Sequence, residues 1–166
     1  MRNWQALSSK SYEEVWRRID QEFKFQPSVS EFPSFHLPSP FVTYDVSAYY
    51  GASINLNVYR DLEEKSLQMF QELVPKDEFL LALEWQHEGY RVNPHLNFPK
   101  NEWKEWIIPV FPDGDYYFFI EKDFNWGILG HPWEGSISLY GKDLLYSLEK
   151  NKPAMFLKII RQKLKA

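Results

Sequence analysis

The first strong pattern along the chain is an apolar stripe near the N-terminus. Apolar side chains recur at helical spacing from Tyr12 through Ile19 to Phe23, which is typical of one face of an α-helix. Ser11 and Glu14 have the spacing of a capping box, in which side chains satisfy free amide groups at a helix start. The pattern predicts an amphipathic helix over residues 11–25. The prolines that follow up to position 40 predict an irregular connector, because proline cannot donate to helix or sheet ladders.

A second helical stripe begins at Tyr59 and is closed by Pro75. Its apolar positions recur at helical intervals and are expected to face the core. Glu63, Glu64 and Lys65 interrupt the stripe, and all three are expected to face water.

Much of the remaining chain alternates short apolar runs with turn residues, which is typical of strands. The expected strands are residues 41–46, 79–83, 90–92, 106–110, 116–120, 126–129 and 136–140. The strand at 106–110 is expected to form a hairpin with 116–120, because residues 112–115 have the composition of a tight turn. Further helices are expected at residues 143–150 and from Pro153 to about position 163. These elements predict one α+β domain over residues 1–166, with a mostly antiparallel sheet and helices packed on one face.

Composition narrows the classes of protein that fit this pattern. There is no cysteine, so disulfides and thiolate metal ligands are excluded. The start of the chain lacks the apolar segment of a signal peptide, and no apolar run reaches the roughly 20 residues of a membrane span. We therefore expect a cytoplasmic protein with no membrane partner. The net charge of −4 argues against a nucleic-acid partner. The basic C-terminus suits a membrane-surface or RNA-contacting helix, but the favoured interpretation is a docked cap whose cations complement a helix dipole.

The four histidines are the first candidates for chemistry. One hypothesis is a metal-dependent hydrolase in which His87, His95 and His131 are nitrogen ligands and Glu84 is an oxygen ligand or base. Their spacing matches no strong metal motif, so the favoured interpretation is that His87 and His131 are hydrogen-bonded residues that hold loops at sheet ends. No metal and no cofactor is predicted.

The carboxylates leave a similar choice. Glu84 follows the apolar run at 79–83, where burial could raise its pKa and suit it to acid–base work. The favoured alternative is that it faces solvent or Arg91. Asp113 and Asp115 flank Gly114 and are explained by turn chemistry. The sequence therefore predicts no catalytic residue.

Aromatic side chains are unusually abundant, at 18% of the chain. Tyr and Trp combine apolar area with a polar group, so exposed ones suit protein interfaces and stacking on sugar rings. The candidate binding residues are Glu84, Trp85, His87, Tyr90, His95, His131 and Trp133. The alternative is that the aromatic residues build the core, which is the commoner outcome.

Several short segments resemble an uncharacterised domain-of-unknown-function family from spore-forming bacteria. They are residues 82–87, 93–95, 112–117, 127–133 and 139–141, and the most specific is Gly130-His131-Pro132-Trp133. The resemblance covers most of the chain and implies a bacterial, intracellular, single-domain protein. It implies no activity and no catalytic residues.

Three hypotheses for the function follow. The first is a non-enzymatic protein-binding module, such as an immunity or antitoxin-like inhibitor, whose acidic surface suits a cationic protein partner. The second is a small-molecule or carbohydrate-binding domain that uses Trp85, Tyr90 and Trp133. The third is the hydrolase with His87 and two further histidines. The oligomeric state is left open.

Overall fold

A computed structural model describes residues 3–51, 56–100 and 105–165. The strands are β1 Gln5–Ala6, β2 Phe41–Asp45, β3 Leu80–Glu84, β4 Gly89–Val92, β5 Tyr117–Glu121, β6 Gly127–His131, β7 Ser136–Tyr140 and β8 Lys158–Lys163. The helices are α1 Ser9–Phe23, α2 Asn57–Leu73 and α3 Lys142–Lys150, and a short 3₁₀ turn covers Ser47–Tyr49.

All described strands belong to one sheet in the order β1-β4-β3-β5-β6-β7-β2-β8. Every neighbouring pair is antiparallel. The predicted α+β class with an antiparallel sheet is therefore confirmed. The central strands β3, β5, β6 and β7 are buried at nearly every position, because both of their faces are covered.

The helices pack on both faces of this sheet, which corrects the prediction that they share one face. Ile19 and Phe23 of α1 join one buried cluster with Leu81 of β3. Helices α2 and α3 join the other cluster, which contains Leu80 and Ala82 of the same strand. Successive side chains of a strand point to opposite faces, so the continuous apolar run in β3 needs cover on both sides.

The start of α1 also differs from the predicted capping box. Ser8, not Ser11, is the N-cap residue, and its side chain accepts a hydrogen bond from the Ser11 amide at 3.1 Å. The helix ends at Phe23, where Lys24 adopts the left-handed conformation. Both ends thus lie two residues before the predicted bounds.

The largest correction concerns the C-terminus, where a helix was predicted and a strand is found. Strand β8 pairs with β2, with Thr43 opposite Arg161. Two adjacent β-branched residues, Ile159 and Ile160, favour an extended backbone, and the free edge of β2 supplies the partner.

The expected strand at 106–110 is also wrong, as is its hairpin with β5. Trp106, Ile108 and Val110 are buried, while Ile107 is 42% exposed, so the alternation reflects burial without a strand ladder. Strand β5 pairs with β3 and β6 instead. In the described parts of the chain, no helix is both long and apolar enough to cross a membrane.

Candidate functional site

A cavity of about 360 Å³ lies between the start of α2 and the irregular segment at residues 105–113. We call it the α2 cavity. Its lining combines aromatic rings, aliphatic side chains and charged groups: Tyr50, Leu56, Tyr59, Arg60, Leu62, Glu63, Glu105, Pro109, Val110, Phe111 and Asp113, with Gly51 at one side. Segment 105–113 forms no strand ladder with the sheet. It runs beside α2 instead, and the cavity lies between the two.

The aromatic wall of the α2 cavity is held by ring contacts and hydrogen bonds. The Phe111 ring centroid lies 4.7 Å from that of Tyr50 and 4.9 Å from that of Tyr59. The Tyr50 hydroxyl donates to the Pro112 carbonyl at 2.7 Å, and the Tyr59 hydroxyl donates to the Tyr49 carbonyl. These contacts hold the three rings and the two hydroxyl groups in place.

Glu63 places a carboxylate in the same cavity. Burial raises the pKa of this side chain to about 7, while a weak hydrogen bond from the Trp106 amide at 3.4 Å and the charge of Lys100 oppose the rise. The prediction that Glu63 faces water is therefore wrong, although its neighbour Glu64 is exposed. Near neutral pH this carboxylate is therefore only partly ionised. A positively charged ligand beside it would favour the ionised form.

A second group of polar side chains lies at the C-terminal end of β3. Glu84 ends that strand, His87 lies in the turn before β4, and Asp115 precedes β5. The His87 Nδ1 atom lies 2.9 Å from Asp115 Oδ2 and 3.1 Å from Glu84 Oε2. We call these three residues the acid–histidine cluster. They meet because β3 and β5 are hydrogen-bonded neighbours, with Glu84 opposite Tyr117.

Charge and burial set the protonation of this cluster. Burial raises the pKa of Glu84, the Asp115 charge adds to the rise, and His87 opposes it. The hydrogen bond that His87 donates to Asp115 raises the pKa of its imidazole. A cleft of about 390 Å³ opens beside His87 and is bordered by Tyr12, Glu88 and Tyr90.

His131 lies in a buried hydrogen-bond network under the turn from β6 to β7. Its Nδ1 atom accepts a hydrogen bond from the Glu134 amide at 3.2 Å, so its proton is on Nε2. Nε2 then donates to Ser34 Oγ at 2.7 Å, and the Ser34 hydroxyl contacts that of Tyr116 at 2.9 Å. Burial lowers the pKa of His131 to about 4, an effect that Glu134 opposes and Arg161 reinforces.

This network resembles a catalytic Ser–His pair but has the wrong proton arrangement. A general base must accept the serine proton through an unprotonated nitrogen, whereas the Nε2 of His131 already donates to Ser34. The interpretation of His131 as a residue that holds a loop therefore fits the structure.

The three histidines of the hydrolase hypothesis do not form a ligand set. The His95 Nε2 atom donates to the Val74 carbonyl at 2.6 Å, where it ties a loop to the end of α2. His131 is engaged with Ser34, and His87 with the two carboxylates. Within the described ranges, the one group with metal-ligand proximity is the acid–histidine cluster.

The remaining candidates were aromatic. Trp85 is half-buried against Phe25 and Tyr116, and the Tyr90 hydroxyl donates to the Glu88 carboxylate. Trp133 is 43% exposed, with its ring 5.4 Å from that of Tyr116. It is the only tryptophan in the described residues with large exposure, so most of the aromatic surplus lies in the core.

Sequence reasoning missed Asp115 as a partner of Glu84 and His87, because a turn explained it. It also missed Glu63 and the wall of Tyr50, Tyr59 and Phe111. A charged residue inside an apolar helical stripe was the available signal for Glu63.

Comparison with known proteins identifies one family. The sequence profile of "Protein of unknown function (DUF2716)" matches residues 6–145. An uncharacterised protein of Bacillus subtilis (strain 168), YxiI, is 38% identical over 160 residues, which cover 94% of this chain and 98% of the relative. No solved structure matches. The expected uncharacterised bacterial family is therefore confirmed, while the choice of residues 130–133 as its most specific motif stays a prediction.

Proposed function

We propose that this chain, which belongs to the DUF2716 family, is a binding protein that takes a small organic cation into the α2 cavity. The observation that carries the proposal is the placement of the Glu63 carboxylate in a cavity walled by the rings of Tyr50, Tyr59 and Phe111. This choice follows the small-molecule hypothesis but places the ligand away from Trp85 and Trp133.

The size of the cavity favours a small molecule over a polymer. Ligand pockets in proteins measure about 300–1,000 Å³ and are mostly apolar, with a few polar groups that orient the ligand. At about 360 Å³ the α2 cavity lies at the small end of that range. Leu56 and Pro109, which are accessible at the cavity, supply aliphatic surface for the uncharged part of a ligand.

Charge favours a cation. Among the described residues that line the cavity, three are acidic, Glu63, Glu105 and Asp113, and one is basic, Arg60. The negative faces of aromatic rings attract ammonium groups, and the attraction strengthens where water is displaced. An amine or quaternary ammonium group beside Glu63 would also offset the burial that raises the pKa of this carboxylate.

A matched set of probes tests the proposed ligand class. Benzylamine and benzyltrimethylammonium are expected to raise the melting temperature, because a ligand that binds only the folded state stabilises it. Benzyl alcohol and benzoate have the same ring without positive charge and are expected to leave it unchanged. Equal shifts with all four probes, or a response to benzoate alone, would contradict recognition of a cation.

Glu63→Gln is expected to weaken benzyltrimethylammonium binding about tenfold at pH 8, the loss of one partly buried charge interaction. In the wild type, affinity is expected to rise between pH 6 and pH 8, because Glu63 becomes ionised over that range. The probe keeps its charge throughout, so the rise reports on the protein. Titration calorimetry measures both effects.

Glu64→Gln is the matched control. It removes the same charge one position along α2, where the side chain is exposed. Affinity and its pH dependence are expected to match the wild type. If Glu64→Gln lost as much affinity as Glu63→Gln, the cause would be the overall charge of the protein and not the carboxylate in the cavity.

A protein partner is a second proposed function, supported by the last strand of the sheet. Strand β8 pairs with β2 on one side and ends the sheet order. Ile159 and the flanking Leu157 and Leu164 are exposed, and an extended segment can add to such an edge through main-chain hydrogen bonds. Lys158 and Arg161 of β8 are paired with Asp45 and Glu134, so it is the exposed Lys163 that favours an acidic segment.

We expect Lys163→Glu to weaken capture of such a partner, because Lys163 lies exposed on this strand. Pull-down from a bacterial lysate with the wild type and the variant checks this. Lys76→Glu, which changes an exposed lysine outside β8, is the control. Equal capture by all three proteins would argue against β8 as the interface.

A further inference from the structure

The acid–histidine cluster has the composition and spacing of a metal site, and it shares no lining residue with the α2 cavity. We propose that Glu84, His87 and Asp115 bind one first-row divalent cation, such as Zn²⁺ or Mn²⁺, through one atom each. This inference is independent of the proposed organic cation.

The distances within the cluster fit a metal ion. One potential ligand atom from each residue lies within 4.8 Å of the other two. Metal–ligand bonds of about 2.0–2.2 Å place neighbouring ligand atoms about 2.8–3.6 Å apart at octahedral to tetrahedral angles. The His87 nitrogen lies 2.9 and 3.1 Å from the two carboxylate oxygens, and these oxygens lie within 4.8 Å of each other, so binding requires at most that the two carboxylates move closer together. The ion takes the place of the Nδ1 proton: the imidazolium releases that proton to solvent, and Nε2 keeps its own, so the ligand is a neutral imidazole.

The backbone holds the three ligands in this arrangement. The Glu84 amide donates to the Glu88 carbonyl at 2.8 Å, and the His87 amide donates to the Glu84 carbonyl at 3.1 Å. The second oxygen of the Asp115 carboxylate accepts from the Tyr116 amide at 2.7 Å, which fixes the orientation of that carboxylate. Ligands carried by paired strands and a closed turn lose little freedom when an ion binds.

The charges around the cluster favour a cation. Among the residues that the structure describes, the only basic side chain in an ion pair with Glu84 or Asp115 is His87. Another carboxylate, Glu88, adds to the negative potential at Glu84. The Glu84 and Asp115 side chains are only 26% and 12% exposed, so water screens their repulsion incompletely. A divalent ion would neutralise both carboxylates.

The ligand set also points to a class of metal. Imidazole nitrogen suits Zn²⁺ and other first-row ions, whereas Mg²⁺ and Ca²⁺ prefer oxygen ligands alone. The adjoining cleft, bordered by Glu88 and Tyr90, leaves access on the side of His87. Three protein ligands with an open side are typical of sites that keep a water molecule or substrate on the metal.

Titration calorimetry of the purified, chelator-treated full chain with Zn²⁺ tests the proposal, and Mn²⁺ binding can be followed by electron paramagnetic resonance. We expect one ion per chain, with a large excess of Mg²⁺ failing to displace it. His87→Gln, Glu84→Gln and Asp115→Asn are each expected to weaken Zn²⁺ binding by more than about tenfold, since even partners outside the ligand shell contribute about that much.

His36→Gln is the matched control, because His36 is an exposed histidine outside the cluster. It is expected to bind Zn²⁺ as the wild type does. The proposal is overturned if the wild type binds no ion, if Mg²⁺ displaces Zn²⁺ readily, or if His36→Gln loses binding while His87→Gln keeps it. Circular dichroism checks that each variant is folded. If Asp115→Asn fails to fold, His87→Gln still tests the proposal, because the His87 side chain is exposed.

Discussion

Gly141→Ala is expected to lower the free energy of unfolding by about 3 kcal/mol or more. Gly141 links β7 to α3 with a φ of +104°, which side chains other than glycine rarely adopt. A Cβ atom there would lie 2.5 Å from the Asn125 carbonyl oxygen and 2.8 Å from the Trp126 Cα. Backbone strain of about 1–3 kcal/mol adds to an overpacking cost of similar size, because neither backbone atom can move aside without disturbing the sheet.

Gly114→Ala separates the two contributions. Gly114 has nearly the same φ, +106°, but a Cβ atom there would meet nothing within 4 Å. We therefore expect only the conformational part, about 1–3 kcal/mol. Urea unfolding of both variants measures the difference. Equal losses would show that close packing at Gly141 contributes nothing.

The second large effect is a loss of stability on acidification that originates at His131. Its pKa is about 4 in the folded protein, against the ordinary value of 6.5. Folding thus favours the neutral form of His131. Its contribution to the free energy of unfolding is fully present above pH 6.5. It is lost as the pH falls from 6.5 to about 4, because the unfolded chain binds the proton first. Such a difference in pKa corresponds to about 3 kcal/mol.

In the wild type, Glu63 opposes this loss. Its pKa is raised from 4.5 to about 7, so its buried charge disfavours folding above pH 7. That penalty is relieved as the pH falls towards 4.5, over nearly the range in which the contribution of His131 disappears. The two effects therefore offset each other in the wild type, and Glu63→Gln is expected to make the acid loss visible.

Urea unfolding of Glu63→Gln at intervals from pH 7 to pH 4 measures this decline. Adding His131→Asn should flatten it, because the titrating group is gone. Imidazole NMR signals of the folded wild type provide a check that needs no variant. A titration of His131 near pH 6.5 would contradict the buried, neutral side chain.

Local sequence patterns were sufficient to predict the elements that depend on neighbouring residues. The stripe from Tyr12 to Phe23 predicts α1 because helical spacing is a property of neighbouring residues. The apolar run of β3 predicts a buried strand for the same reason. The expected role of His131 follows from its place in a tight connection between two strands. The aromatic content is explained mainly by the core, as the commoner interpretation held.

Elements that depend on distant partners were predicted less well. The basic C-terminus has apolar residues compatible with a helix, and it becomes β8 because the edge of β2 is free to pair. Residues 106–110 alternate in the manner of a strand, yet the neighbours of β5 are β3 and β6. The choice of pairing partner is not a local property of either segment.

The chain's own pattern was enough to establish the α+β class, the antiparallel sheet and the absence of cysteine chemistry, since these depend on periodicity and composition. Both candidate sites needed the folded chain. Glu84 and Asp115 are far apart in sequence and meet because β3 and β5 pair. Glu63 is half-buried because the 105–113 segment lies beside α2. Sites of this kind arise from burial and proximity, and long-range packing determines both.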